Sequence, residues 1–116
     1  MHARLEALDA LRGLRTVIEG LPGLALPARS AAMCRWRDHE DRLRAVLPAL
    51  GLSAGHAAET GARLLWCRLH VLSLAGTAAP LAPDRIVAQD IALNALAVVA
   101  VVIRGAELDG GTDATP

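Results

Sequence analysis

The chain has 116 residues, enough for one domain with a single hydrophobic core. Its 12 basic and 12 acidic residues give a formal net charge of zero, which argues against the basic footprint that drives nucleic-acid binding. Apolar residues make up 53% of the sequence and the mean hydropathy is +0.37, so we expect a partner subunit or lipid to cover some apolar surface.

The sequence shows no pattern of secretion or of a disulfide framework. Cys34 and Cys67 are the two cysteines, too few to staple a small secreted fold. Charged residues recur every few positions from Arg4 to Arg15, so the N-terminal segment lacks the apolar stretch of a signal peptide. We therefore expect a cytoplasmic protein.

Apolar residues at three- and four-residue steps predict helices. The first helix covers residues 2–19 and ends where glycine and proline follow at 20–23. The second begins after Ser30, a candidate N-cap, and runs to about Leu50. We expect Pro48 to kink this helix or to end it early, because proline removes a helical hydrogen bond.

The third helix is predicted over residues 54–75, with Ser53 as its N-cap. Gly76 and the prolines after it separate this helix from the fourth. The fourth helix begins near Pro83 and ends near Gly105. No segment shows the two-residue period of a strand.

The fourth helix is apolar almost all round from Ile86 to Ile103, as in a core helix or a membrane span. We prefer the core helix, because Asp90 would be costly in lipid and the run is marginal against the roughly 20 residues of a span. The chain is therefore predicted to form an all-α, single-domain bundle of about four helices over residues 1–106, with an Ala/Val-rich central C-terminal helix. Residues 107–116 are predicted to be a disordered acidic tail.

Two further features mark this helix. Asp90 and Asn94 form a polar stripe, and a buried Asp90 would need a partner such as Arg68 or His70 on the third helix. Alanines at i, i+4 and i+7 form a smooth face that lets another helix approach closely. These alanines are Ala88, Ala92 and Ala95.

Two short segments, 34–40 and 66–70, hold both Cys, both Trp and two of the four His. A zinc or other metal site, or a ligand pocket between helices, would need convergent side chains from them. The candidate residues are Cys34, Asp38, Cys67, His70 and Asp90. Their spacing matches no zinc signature, and a free Cys is commonly a small buried hydrophobe. We therefore predict no cofactor and keep a metal- or ligand-binding bundle as an alternative.

The same side chains offer one catalytic arrangement. Cys67 and His70 lie three residues apart and share a helix face, and Asp90 would orient the histidine as the third member of a triad. The spacing permits this contact without enforcing it. We expect a protein that is not an enzyme.

Trp36 lies in a charge-rich segment, 35–44, whose i, i+4 pairs, including Glu40 with Arg44, are typical of a solvated helix face. An exposed Trp flanked by Arg would anchor an interface, whereas a Trp that points inward would belong to the core. We predict a helical interaction or accessory protein that acts as a homodimer or as a subunit of a larger complex. Its predicted interface residues are Arg35, Trp36, Arg37, Ala88, Ala92 and Ala95.

The segment 43–65 has the pattern helix, turn, helix, with Gly51 in the turn and Ser53 at the start of the second helix. It resembles the helix-turn-helix of DNA-binding regulators, which implies a groove-facing surface on the second helix. The residues of that surface would be His56, Glu59, Thr60 and Arg63. Pro48 and the net charge of zero depart from the pattern, so a DNA-binding regulator is a further alternative.

Overall fold

The computed structural model describes residues 2–76 and 82–113, and these residues form four α-helices and two short 3-10 turns. Side chains are described for residues 2–76 and 86–105. The helices are α1, His2–Gly20; α2, Leu26–Val46; α3, Ala54–Ala75; and α4, Ala82–Asp113. No strand occurs in the described residues, and the predicted all-α bundle of about four helices is confirmed.

α2 begins earlier than predicted, at Leu26 rather than after Ser30. Pro27 occupies its first turn. A missing backbone N–H costs nothing there, because the first N–H groups of a helix have no helical partner, and the fixed φ of proline suits a helix start. Proline therefore marks the beginning of this helix instead of a break before it.

The junction between α2 and α3 follows the sequence prediction. α2 ends at Val46, and Pro48 lies in a 3-10 turn, Leu47–Leu50. Gly51 then adopts a left-handed conformation with φ of +68°, which glycine reaches without steric cost. The Oγ of Ser53 accepts a hydrogen bond at 3.1 Å from a backbone N–H in the first turn of α3, so its predicted role as N-cap is confirmed.

α4 does not end near Gly105 but continues through residues 107–113, which the sequence assigned to a disordered tail. No proline follows Pro83 until the last residue of the chain, so nothing in this stretch excludes a helical backbone. Residues 114–116 of the predicted tail lie outside the described residues.

The core is built from one face of each helix. α1 packs against α2 and α4, and α3 packs mainly against α4. α2 and α3 approach each other at few positions. The largest fully buried side chains include Leu14, Ile18, Leu21, Leu43, Leu64, Leu74 and Ile103.

α4 is buried along one face. Among the described residues, its segment Ile86–Gly105 is the one stretch long and apolar enough to cross a membrane, with 20 residues and a mean hydropathy of 2.3. A core helix of a soluble protein meets the same criterion, and 33% of this segment is buried inside the bundle. The rest of the helix surface is only partly covered by the chain itself.

Candidate functional site

Cys67 lies in the core between α3 and α4. It is fully buried, and its Sγ donates a hydrogen bond to the carbonyl oxygen of Ala92 at 3.4 Å. Burial, reinforced by the negative charge of Glu40, raises the pKa of its thiol from 9.0 to about 12. Because the thiolate is the reactive and metal-binding form, Cys67 is neither a nucleophile nor a ready ligand at neutral pH.

His70 takes part in a different contact. Its Nδ1 lies 2.9 Å from the backbone carbonyl oxygen of Trp66, and the two rings meet edge to face with centroids 4.5 Å apart. Asp90 and Asn94 are exposed, so the expectation of a buried polar stripe on α4 is wrong. The physical reason is that the bundle covers only one face of α4, and neither residue lies on that face. The triad of Cys67, His70 and Asp90 is not assembled.

The predicted metal ligands do not converge. Cys34 and Asp38 lie on the exposed side of α2, whereas Cys67 lies in the core. Within residues 2–76 and 86–105, no three His, Cys, Asp or Glu side chains are placed to hold a metal ion together. The ligand set of Cys34, Asp38, Cys67, His70 and Asp90 is thus spread over separate faces of the bundle.

Trp36 is a core residue, only 2% exposed, so its expected role as an exposed interface anchor is wrong. Its neighbours Arg35 and Arg37 are exposed. α2 packs mainly against α1, and Trp36 lies on the face that makes this contact although both of its neighbours in the sequence are charged. The buried residues of α2 are Arg29, Ala32, Trp36, Glu40 and Leu43.

The alanine face of α4 is occupied within the chain. Ala88, Ala92 and Ala95 are 8%, 0% and 2% exposed. The hydrogen bond from Cys67 to Ala92 shows that α3 makes the close approach that these small residues allow. The face expected to bind another molecule is therefore covered by the protein's own third helix.

An ion pair between a buried carboxylate and a partly exposed guanidinium joins α2 to α3, and the sequence did not predict it. Glu40 is 3% exposed, and its carboxylate accepts hydrogen bonds from Arg68, whose Nε lies 3.1 Å from each oxygen. Arg44 adds a second cation at 3.6 Å. Hydrogen bonding to Glu40 raises the pKa of Arg68. Only the Glu40–Arg44 spacing is visible in the sequence, because Arg68 lies 28 residues away.

An apolar stripe runs along the outer face of α3. Its five positions follow alternating steps of four and three residues, and all five are exposed. This outer stripe consists of Ala58, Ala62, Leu65, Leu69 and Leu72. The three leucines are 50%, 52% and 50% exposed, and Trp66 beside them is 49% exposed. The spacing is visible in the sequence, but α3 has a second apolar face, and the spacing does not tell which one is buried.

The structure contains the turn of the helix-turn-helix pattern, but one of the four residues of the proposed DNA-binding face is buried. Thr60 is 1% exposed and belongs to the buried face of α3, together with Leu64 and Cys67. His56, Glu59 and Arg63 are exposed. A surface with one arginine and one glutamate has no excess of positive charge for DNA phosphates.

Comparison of the chain with protein-family models, with curated proteins and with solved structures gave no match. The fold itself defines a small all-α bundle. Two features distinguish it. Arg29 and Glu40 are charged residues on the inward face of α2, and the outer stripe of α3 is an exposed apolar surface.

Proposed function

We propose that this protein is a non-enzymatic helical interaction protein that forms a homodimer through the outer stripe of α3. The observation that carries the proposal is that Leu65, Leu69 and Leu72 are exposed together on one face of α3. Contiguous apolar patches of this kind on soluble proteins mark sites where a partner binds. The alternation of four- and three-residue steps is the spacing of a coiled-coil seam.

The side chains of the outer stripe are small at one end and large at the other, which favours a second copy in antiparallel orientation. Alanine occupies its first two positions and leucine the last three. If a two-fold axis passes near Leu65, then Leu72 of one copy faces Ala58 of the other, and Leu69 faces Ala62. Large side chains then meet small ones on both sides of the central pair of Leu65 side chains, whereas a parallel pair would leave the alanine end loosely filled.

Trp66 strengthens the case for this surface. It follows Leu65 directly, so the two indoles of an antiparallel dimer would lie near the centre of the contact. Trp at the centre of an apolar patch is a typical interface hot spot. The edge-to-face contact with His70 already restrains the ring, so less side-chain freedom is lost on association.

α4 offers another exposed apolar surface, but a less continuous one. Ile86, Val87 and Val101 are 62%, 56% and 66% exposed, and Asp90 and Asn94 are exposed between them. Burying an unpartnered carboxylate is costly in a protein interface and in a bilayer alike. The outer stripe of α3 is therefore the better interface.

Native mass spectrometry and size-exclusion chromatography with light scattering test the proposal. The wild-type chain is expected to be a dimer at micromolar concentration. The substitution Leu69→Glu should give a folded monomer, because Leu69 is half-exposed in the single chain. Val101→Glu places the same charge on exposed α4 and is the matched control, which should remain dimeric. A monomeric wild type, or a dimer that survives Leu69→Glu, would overturn the proposal.

A further inference from the structure

A cavity of about 270 Å³ opens at the N-terminal end of α2. Its polar lining comes from Arg29, Ser30, Cys34 and Arg37. No carboxylate of the described residues lines it. Two cations with no acidic neighbour in the wall make the cavity electropositive.

Arg29 is a buried cation that forms no ion pair with another described residue. It is 7% exposed, and its Nε donates a hydrogen bond to the backbone carbonyl oxygen of Leu24 at 2.9 Å. None of the ion pairs found among the described residues includes it. Arginine is almost never fully buried unless it is paired. The free energy of removing a full charge from water exceeds the stabilisation that one hydrogen bond to a neutral acceptor provides.

The other end of α2 shows how this fold neutralises a buried charge. Glu40 lies on the same inward face as Arg29, and Arg68 and Arg44 both contact its carboxylate. Arg29 has no equivalent partner among the residues whose side chains are described. Arg29 lies in the first turns of α2, and the N-terminal end of a helix carries a partial positive charge. This adds to the uncompensated positive charge at this end of the helix. An anion in the cavity would remove this imbalance.

We infer that the cavity binds a small carboxylate with a short aliphatic chain. A guanidinium is suited to the planar, bidentate geometry of a carboxylate. The apolar part of the wall, formed by Leu26, Met33 and Ala75, would pack against the aliphatic chain. The cavity of about 270 Å³ is open to solvent and can accommodate a small molecule the size of hexanoate.

Cys34 provides a direct test, because it lines the cavity and is exposed while Cys67 is buried. Its alkylation by iodoacetamide, a neutral reagent, should slow in a saturable manner as hexanoate is added. Inorganic phosphate and 1-hexanol, at matched concentrations, should protect Cys34 far less. Equal protection by phosphate would mean a simple anion site, and equal protection by 1-hexanol a simple apolar one. Either result, or no protection by hexanoate, would overturn the inference.

Three substitutions locate the ligand. Arg37→Gln should weaken hexanoate binding about tenfold, because one charge-assisted contact is lost. Arg35→Gln, an exposed arginine on the same helix outside the cavity wall, should bind as the wild type does. Arg29→Met should abolish protection and also abolish the rise in Tm that hexanoate gives the wild type. Wild-type binding by Arg37→Gln or by Arg29→Met would contradict the site. The Leu69→Glu monomer should bind hexanoate normally, so the cavity and the dimer are tested separately.

Discussion

Arg68 binds Glu40 across the gap between α3 and α2, with its Nη2 2.8 Å from Oε1. The Glu40 side chain is 4% exposed and that of Arg68 is 39% exposed, so a desolvated carboxylate is neutralised by a partly solvated cation. α2 and α3 meet at few other positions. The pair is therefore a specific polar contact between two helices that share little other packing.

Removing Arg68 should cost more than removing the whole pair. Arg68→Met leaves the Glu40 carboxylate buried with only the longer contact to Arg44, and we expect the free energy of unfolding to fall by about 2–3 kcal/mol. The double variant Glu40→Met/Arg68→Met should recover much of this loss, because no charge is then buried. Urea unfolding measures both. Arg63→Met, on the exposed face of α3, is the control and should stay within about 0.5 kcal/mol of wild type.

Cys67 should make the protein less stable at high pH. From pH 9.0 upward the unfolded chain releases the thiol proton, whereas burial keeps it on the folded chain up to about pH 12. The folded state then binds more protons, so the free energy of unfolding falls with rising pH by up to about 1.4 kcal/mol per unit. This contribution to stability is complete below pH 9.0.

Urea unfolding between about pH 8 and about pH 10 gives the measurement for Cys67. Cys67→Ala should show a shallower decline over this range than the wild type. Cys34→Ala, which removes an exposed thiol, is the control. Equal slopes in all three proteins would show that Cys67 ionises in the folded state as readily as in the unfolded one.

Gly13 allows α1 and α2 to pack closely. A Cβ at this position would lie 2.5 Å from Cε1 of His39, so the imidazole occupies the space of the missing side chain. Gly13→Ala should therefore gain little or no stability in the wild type, because the His39 imidazole must move aside and this cost offsets the better helix propensity of alanine. In a His39→Ala background the same change should stabilise by about 0.5–1 kcal/mol.

Gly61→Ala serves as the control for this pair, because nothing lies within 4 Å of a Cβ at that helical position. It should stabilise the protein in either background by about 0.5–1 kcal/mol. Thermal or urea unfolding of the four Gly13 and His39 combinations gives the coupling energy. A Gly13→Ala effect of the same sign and size in both backgrounds would rule out the contact.

The two tryptophans should report different events by fluorescence. Trp36 is 2% exposed and Trp66 is 49% exposed, so Trp66 supplies the emission that solvent shifts to longer wavelength. If the outer stripe forms the dimer, dilution should shift the emission of the wild type and of Trp36→Phe, but not that of Trp66→Phe. Trp36→Phe should keep its fold, because the buried Nε1 of Trp36 has no hydrogen-bond partner to lose. A dilution shift that persists in Trp66→Phe would place the interface elsewhere.

Several features could be predicted because their causes are local. The cap of Ser53 on α3, the turn at Gly51 and the break at Pro48 each depend on a few neighbouring residues. The start of α2 was predicted too late because Pro27 is compatible with a first turn as well as with a loop. The candidate site residues were harder to place, since their exposure depends on how each helix is rotated in the bundle.

The sequence by itself determined that this protein is helical, because apolar spacing, capping residues and helix breakers act within a few residues along the chain. Only the tertiary structure decided which face of each helix is buried. α2 turns Trp36 and Glu40 inward, and α3 turns Cys67 inward and leaves Leu69 outside. These orientations depend on contacts between residues far apart in the chain, such as Cys67 with Ala92 and Glu40 with Arg68. A helix with two apolar faces, such as α3, does not specify locally which of them meets the core.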